Sequence, residues 1–178
     1  MSGTTKLYVL ATIGLVACAD DLSSEDQEVK IAEELKELRQ STAQYHELQH
    51  ALDDGFAFGI NGAFMTCVAN ANPAIGAMGY HYGNQARFSD PTIDELEPEV
   101  LVYHTGADGA LALGAVEWVV PRPVWEAVHG IGAPPPSVYG TDLVVLNPVA
   151  NLYVAHAWVW KENPSGVLSN WNPAVTCP

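Results

Sequence analysis

Basic residues are scarce in this chain: seven Lys plus Arg stand against 21 Asp plus Glu, a formal charge of −14 over 178 residues. That balance repels phosphate backbones and anionic surfaces, so nucleic acid is excluded as a partner while cationic ligands remain compatible. No GxGxxG, GxxxxGK[ST] or GxSxG pattern occurs, which argues against nucleotide chemistry and against a serine nucleophile on a strand-to-helix elbow. Cysteine is limited to three positions with no CxxC spacing, so a cysteine-rich zinc site is not expected. The N-terminal apolar run, Leu7 to Ala17, falls short of the about 18 residues a membrane-spanning helix needs.

What the chain does have is enough apolar residues, 48% of the total, for one sizeable core and one domain. Lys6, the short apolar run and Cys18 together read as a signal peptide over residues 1–17. Leu15-Val16-Ala17-Cys18 resembles the bacterial lipobox. The resemblance implies cleavage before Cys18, acylation of that cysteine, and an extracytoplasmic lipoprotein whose partner is the membrane, reached through its N-terminal lipid anchor. Ala19 at the second mature position implies outer-membrane rather than inner-membrane delivery in a host with two membranes. Residues 18–27, rich in Asp, Ser and Glu, fit a tether, and residues 28–178 the single globular domain. With Cys18 taken by lipid, Cys67 and Cys177 remain as an even pair in an oxidising compartment, and a disulfide between them is expected.

Periodicity predicts a helix from about Asp26 to Asp53, with Ile31, Leu35, Leu38, Thr42, Tyr45, Gln49 and Leu52 along one stripe and Gly55 beyond its end. Short strands are expected around Ala63–Val68 and Ala77–Tyr82. A hairpin follows, with arms Val100–His104 and Ala110–Val120 around Thr105-Gly106-Ala107-Asp108-Gly109. Within its second arm, alternation places Leu111, Leu113, Ala115, Glu117 and Val119 on one face. Pro123–Asp142, with three consecutive prolines, reads as an irregular cover, and Leu152–Trp160 as a buried strand. The fold class is α+β: a mainly antiparallel sheet, open to barrel-like closure, covered by one long N-terminal helix.

Two constellations could carry chemistry. His46, His81, Glu117 and His156 each lie on or beside a face that should be buried, and three imidazoles with one carboxylate suit a divalent transition metal of unspecified identity. His156 is the only side chain in its strand that can ionise near neutral pH, and a carboxylate at Glu117 among apolar neighbours needs a cation or several donors. The second constellation, His46-Glu47-Leu48-Gln49-His50, matches the HExxH pattern of zinc hydrolases. A non-enzymatic surface or interaction lipoprotein is the rival to both, and a small-molecule ligand suits either a metal site or the tryptophans Trp158, Trp160 and Trp171.

The segments Tyr45-His46-Glu47, Gly76 to His81, Pro98 to Tyr103, Val116 to Val120, His156-Ala157-Trp158-Val159-Trp160-Lys161 and Trp171-Asn172-Pro173 resemble a group of uncharacterised bacterial exported proteins with His-x-Trp-x-Trp-Lys and Trp-Asn-Pro motifs. The resemblance covers most of the mature chain. It implies a shared scaffold and a shared site, with His46, His81, Glu117 and His156 inside the pattern and His50 outside it. It implies no reaction, and whether the protein is an enzyme stays open.

Overall fold

A computed structural model describes residues 24–59, 66–146 and 151–178. The signal peptide and lipobox expected at residues 1–18 lie outside the described residues. Helix α1 (Ser24–Thr42) passes through a 3₁₀ turn (Ala43–His46) into α2 (Leu48–Asp53), and α3 (Gln85–Phe88) and α4 (Arg122–His129) follow later in the chain. The strands are β1 (Cys67–Ala69), β2 (Ala77–Gly83), β3 (Val100–Thr105), β4 (Leu111–Pro121), β5 (Ser137–Val138), β6 (Thr141–Asp142) and β7 (Leu152–Ala157). Five of them form one antiparallel sheet in the order β1-β2-β3-β4-β7, curled into a half-barrel, and β5 and β6 pair separately. The fold is α+β, as the sequence pattern implies.

The N-terminal helix is broken where one continuous helix was expected. Glu47 has extended backbone angles, φ −87° and ψ 105°. The break lets the 3₁₀ turn press Tyr45 into the core, edge-on to Phe56, while the Tyr45 carbonyl accepts the Tyr103 hydroxyl at 2.6 Å. Leu38, Thr42 and Tyr45 of the expected stripe are buried, but Gln49 is exposed and Ala51 takes the inward position instead. Gly55 does end the segment, at φ 87°, a conformation that costs glycine little.

Both hairpin arms form, but not with one continuous alternation. Tyr103 pairs with Leu113 and Val102 with Ala115, so Gly114 is an extra residue in β4. Such a bulge reverses which face the following residues use. Leu111 and Leu113 therefore pack in the same core as Val116, Trp118 and Val120, while Ala115 and Val119 belong to the opposite face. A side chain at Gly114 would meet His104 Cδ2 at 2.9 Å, and its carbonyl accepts both Trp160 N–H and Lys161 N–H at 3.1 Å.

The strand expected over Leu152–Trp160 ends at Ala157. Trp158 stays on the face of Val154, whereas Trp160 crosses to the helix side and donates its indole N–H to Thr42 Oγ1. The segment Pro123–Asp142 is less irregular than its prolines suggest. It contributes most of α4 and the β5–β6 hairpin, whose two central residues, Tyr139 and Gly140, both have positive φ, as a two-residue reversal of this kind requires. Strand β1 begins at Cys67, and residues 60–65, which include part of the strand expected from Ala63, lie outside the described residues.

The larger core lies between one face of the sheet and the helices. The smaller, built on Val100, Val102, Ala115, Val119, Val154 and Trp158, is closed by the C-terminal tail through Val175. Asn172 forms a two-hydrogen-bond bridge with Ala77, and Cys177 is joined to Cys67 of β1. Gly76 permits the close approach: a Cβ there would lie 2.0 Å from the Asn172 carbonyl oxygen. Among the described residues, no helix is long and apolar enough to cross a membrane.

Candidate metal centre

The register of β4 and β7 sets Glu117 directly opposite His156. β7 is an edge strand, and its outward N–H groups find partners one after another: Val154 on the Val144 carbonyl, His156 on Asn170 Oδ1 and Trp158 on the Val167 carbonyl. The His156 N–H thus points away from β4, which makes Glu117 and His156 a non-hydrogen-bonded pair, the closer of the two antiparallel geometries. His81 reaches the same point from β2, opposite Val102. β2 and β4 flank β3, about 9–10 Å apart for a flat sheet. The curl of the sheet, with glycine at position 83 and alanine at 115, lets the two side chains converge above Val100 and Val102.

Their tips converge closely. His81 Nε2 lies 3.6 Å from Glu117 Oε2, His156 Nε2 lies 3.8 Å from Glu117 Oε1, and the two Nε2 atoms are 3.4 Å apart. Donors bound to one ion at about 2.0–2.2 Å in tetrahedral geometry lie roughly 3.3–3.6 Å from one another. This buried group could hold a metal ion. All three side chains are nearly inaccessible, His156 completely so.

Burial sets the charge state. Desolvation pushes His81 down to about 4, the nearby Gly79 backbone opposing it, and pushes His156 down to about 3 with help from His81 and opposition from Asn170. Desolvation raises Glu117 well above the usual carboxyl range, and nearby Glu99 adds to the rise. Burial thus drives the metal-free trio toward its uncharged form, two neutral imidazoles and a protonated carboxyl. The His–Glu approaches are thus neither ion pairs nor, at 3.6 and 3.8 Å, hydrogen bonds. A divalent ion would displace the carboxyl proton and meet two unprotonated nitrogens.

His46, expected with these three, lies apart from them. It is exposed at the end of the 3₁₀ turn, its ring edge-on to Trp160 with centroids 4.3 Å apart. The HExxH reading also loses its basis, because Glu47 interrupts the helix and puts His46 and His50 on different elements. His50 Nδ1 instead approaches the Gln44 carbonyl. Of the tail tryptophans, Trp158 packs nearly parallel to the His156 ring at 6.4 Å and donates its indole N–H to the Ser169 carbonyl. It serves as the wall of the site.

Two residues of the neighbourhood were not singled out from sequence. Glu99, just before β3, is buried, accepts the Val119 N–H at 2.9 Å and is pushed up to about 8 by desolvation. Its apolar successor Val100 was the available signal, since a carboxylate beginning a buried strand is as anomalous as Glu117. Asn170 Oδ1 accepts the backbone N–H of His156 at 3.2 Å and lies 3.1 Å from its Nδ1. It lies 14 residues beyond its partner in a loop-rich tail, where asparagine is unremarkable. The chain matches no known protein family, no curated protein and no solved structure, so the site stands on its own geometry.

Proposed function

We propose that the protein binds one divalent transition metal ion through His81 Nε2, Glu117 and His156 Nε2. The observation that carries this reading is the convergence of three buried donors from three different strands on one small gap, within 4.8 Å of one another. Burying a carboxyl and two imidazoles costs free energy that a plain core would not incur, and an ion returns it. Two imidazoles favour zinc, iron, cobalt, nickel, manganese or copper(II) over calcium and magnesium, which prefer all-oxygen shells. Three protein ligands leave a position for water or a small molecule, the arrangement that supports hydrolytic or oxidative chemistry.

The test is elemental analysis of purified protein after exposure to each of these metals and removal of the excess. The proposal expects about one ion per chain, lost in the His81→Ala, His156→Ala double variant. Equal metal content in wild type and variant would sink it, and so would its absence from both.

We further propose that the metal-binding domain is exported and anchored by acylated Cys18. The Cys67–Cys177 disulfide supports an oxidising compartment, and the Leu15-Val16-Ala17-Cys18 run supports lipidation. Labelled palmitate fed to an expressing bacterium should enter the wild-type chain and not a Cys18→Ala variant. Incorporation into both, or into neither, would leave the anchor without support.

A further inference from the structure

Resting on the metal-binding reading, we infer that Asn170 is the positioning residue of the site: it holds His156 as the Nδ1–H tautomer, so that Nε2 alone, unprotonated, faces His81 and Glu117. A backbone N–H can only donate, and that of His156 lies 3.2 Å from Asn170 Oδ1. The amide oxygen must therefore face His156, because the reversed amide would set its NH₂ against that N–H. The same oxygen lies 3.1 Å from His156 Nδ1. An oxygen already accepting one hydrogen bond offers Nδ1 only a lone pair, so Nδ1 carries the proton. A neutral imidazole with its proton on Nδ1 has a bare Nε2, the form a metal takes.

The asparagine is itself held. On one side of it the Trp158 N–H and indole N–H reach the Val167 and Ser169 carbonyls at 2.8 and 2.7 Å. On the other, Asn172 pairs with Ala77 through both backbone groups and donates its side-chain amide to the Glu162 carbonyl. The disulfide then fastens Cys177 to β1. The tail is thus a strap from the edge strand β7 across to β1, and Asn170 is where it meets the site. Among the described residues, His81 has no equivalent: its Nδ1 is buried without a hydrogen-bond partner. One imidazole is oriented in advance by the tail, and the other is left to orient on the ion.

The test uses the full mature chain and zinc as the probe. Long-range ¹H–¹⁵N correlation of the metal-free protein should show His156 as the Nδ1–H tautomer, lost in Asn170→Ala and kept in Asn170→Asp, which preserves the accepting oxygen. Calorimetric titration should show zinc bound about 10–100-fold more weakly by Asn170→Ala, with most of the affinity restored in Asn170→Asp. An Nε2–H tautomer in the wild type would overturn the inference. So would zinc affinity in Asn170→Ala within about twofold of a wild type that binds. If the wild type binds neither zinc nor any of the other metals named above, the metal-binding reading fails by itself, while the tautomer measurement still decides the role of Asn170.

Discussion

Glu117 Oε1 lies 3.8 Å from His156 Nε2, across directly opposed positions of β4 and β7. This one pairing accounts for two polar residues that each interrupt an apolar strand. Alone, each would be a desolvation cost with no return. Side by side, and joined by His81, they form a buried group that could hold a cation.

Replacing Glu117 by Gln separates the metal's requirement from the fold's. Burial already favours the protonated form of the metal-free carboxyl, so a neutral isostere should change metal-free stability by less than about 1 kcal/mol. Zinc affinity should fall beyond the roughly 10–100-fold expected when only an outer partner is removed. Urea titration with and without zinc reads both quantities, and a large loss of metal-free stability would contradict the protonated state.

The pH dependence of the metal-free protein follows from four groups. Glu99, raised to about 8, and Glu117, also raised, stabilise most below the ordinary carboxyl value of 4.5 and lose that contribution as pH rises through their folded values. His81 and His156, lowered to about 4 and 3, contribute fully above 6.5 and lose it as pH falls. The two effects oppose each other between about 4.5 and 6.5. Between about 6.5 and 8, only the carboxyl effect acts: Glu99 lowers stability by up to about 1 kcal/mol per pH unit, and Glu117 acts in the same direction. The urea midpoint of metal-free protein should fall over that interval, and saturating zinc should lessen the fall, because Glu117 then has no proton left to lose while Glu99 still does. A rising midpoint without metal would refute the charge assignment.

Removing the disulfide should destabilise the domain strongly. Cys67 and Cys177 close a loop spanning 110 positions, for which chain entropy gives about 4–5 kcal/mol. The Cys67→Ser, Cys177→Ser variant should lose most of that in urea denaturation. A change under about 1 kcal/mol would mean that the tail's hydrogen bonds hold it without the link.

His46→Ala and His50→Ala should each leave zinc affinity within about twofold, because both residues are exposed and stand outside the converging trio. A tenfold or greater loss in either, measured by the same titration, would return the HExxH segment to consideration.

Much of this protein was determined locally. Val100 to Val120 is a strand pair because β-branched residues flank an Asp-Gly turn, and Cys67 and Cys177 were natural partners once Cys18 was set aside. His81, Glu117 and His156 were visible because each is an ionisable side chain among apolar neighbours, an anomaly that burial makes costly. What only the tertiary structure decided was which of the candidates meet. His46 has the same local credentials, but the break at Glu47 follows from Tyr45 finding a place in the core and the Tyr103 hydroxyl, which no helical period encodes. The bulge at Gly114 likewise depends on pairing with β3, and it alone puts Glu117 on the opposite face from Leu113. Asn170 acquires its role only because the tail crosses the edge of β7. Spacing along the chain cannot report that crossing, since a loop's sequence says little about which strand edge it will satisfy.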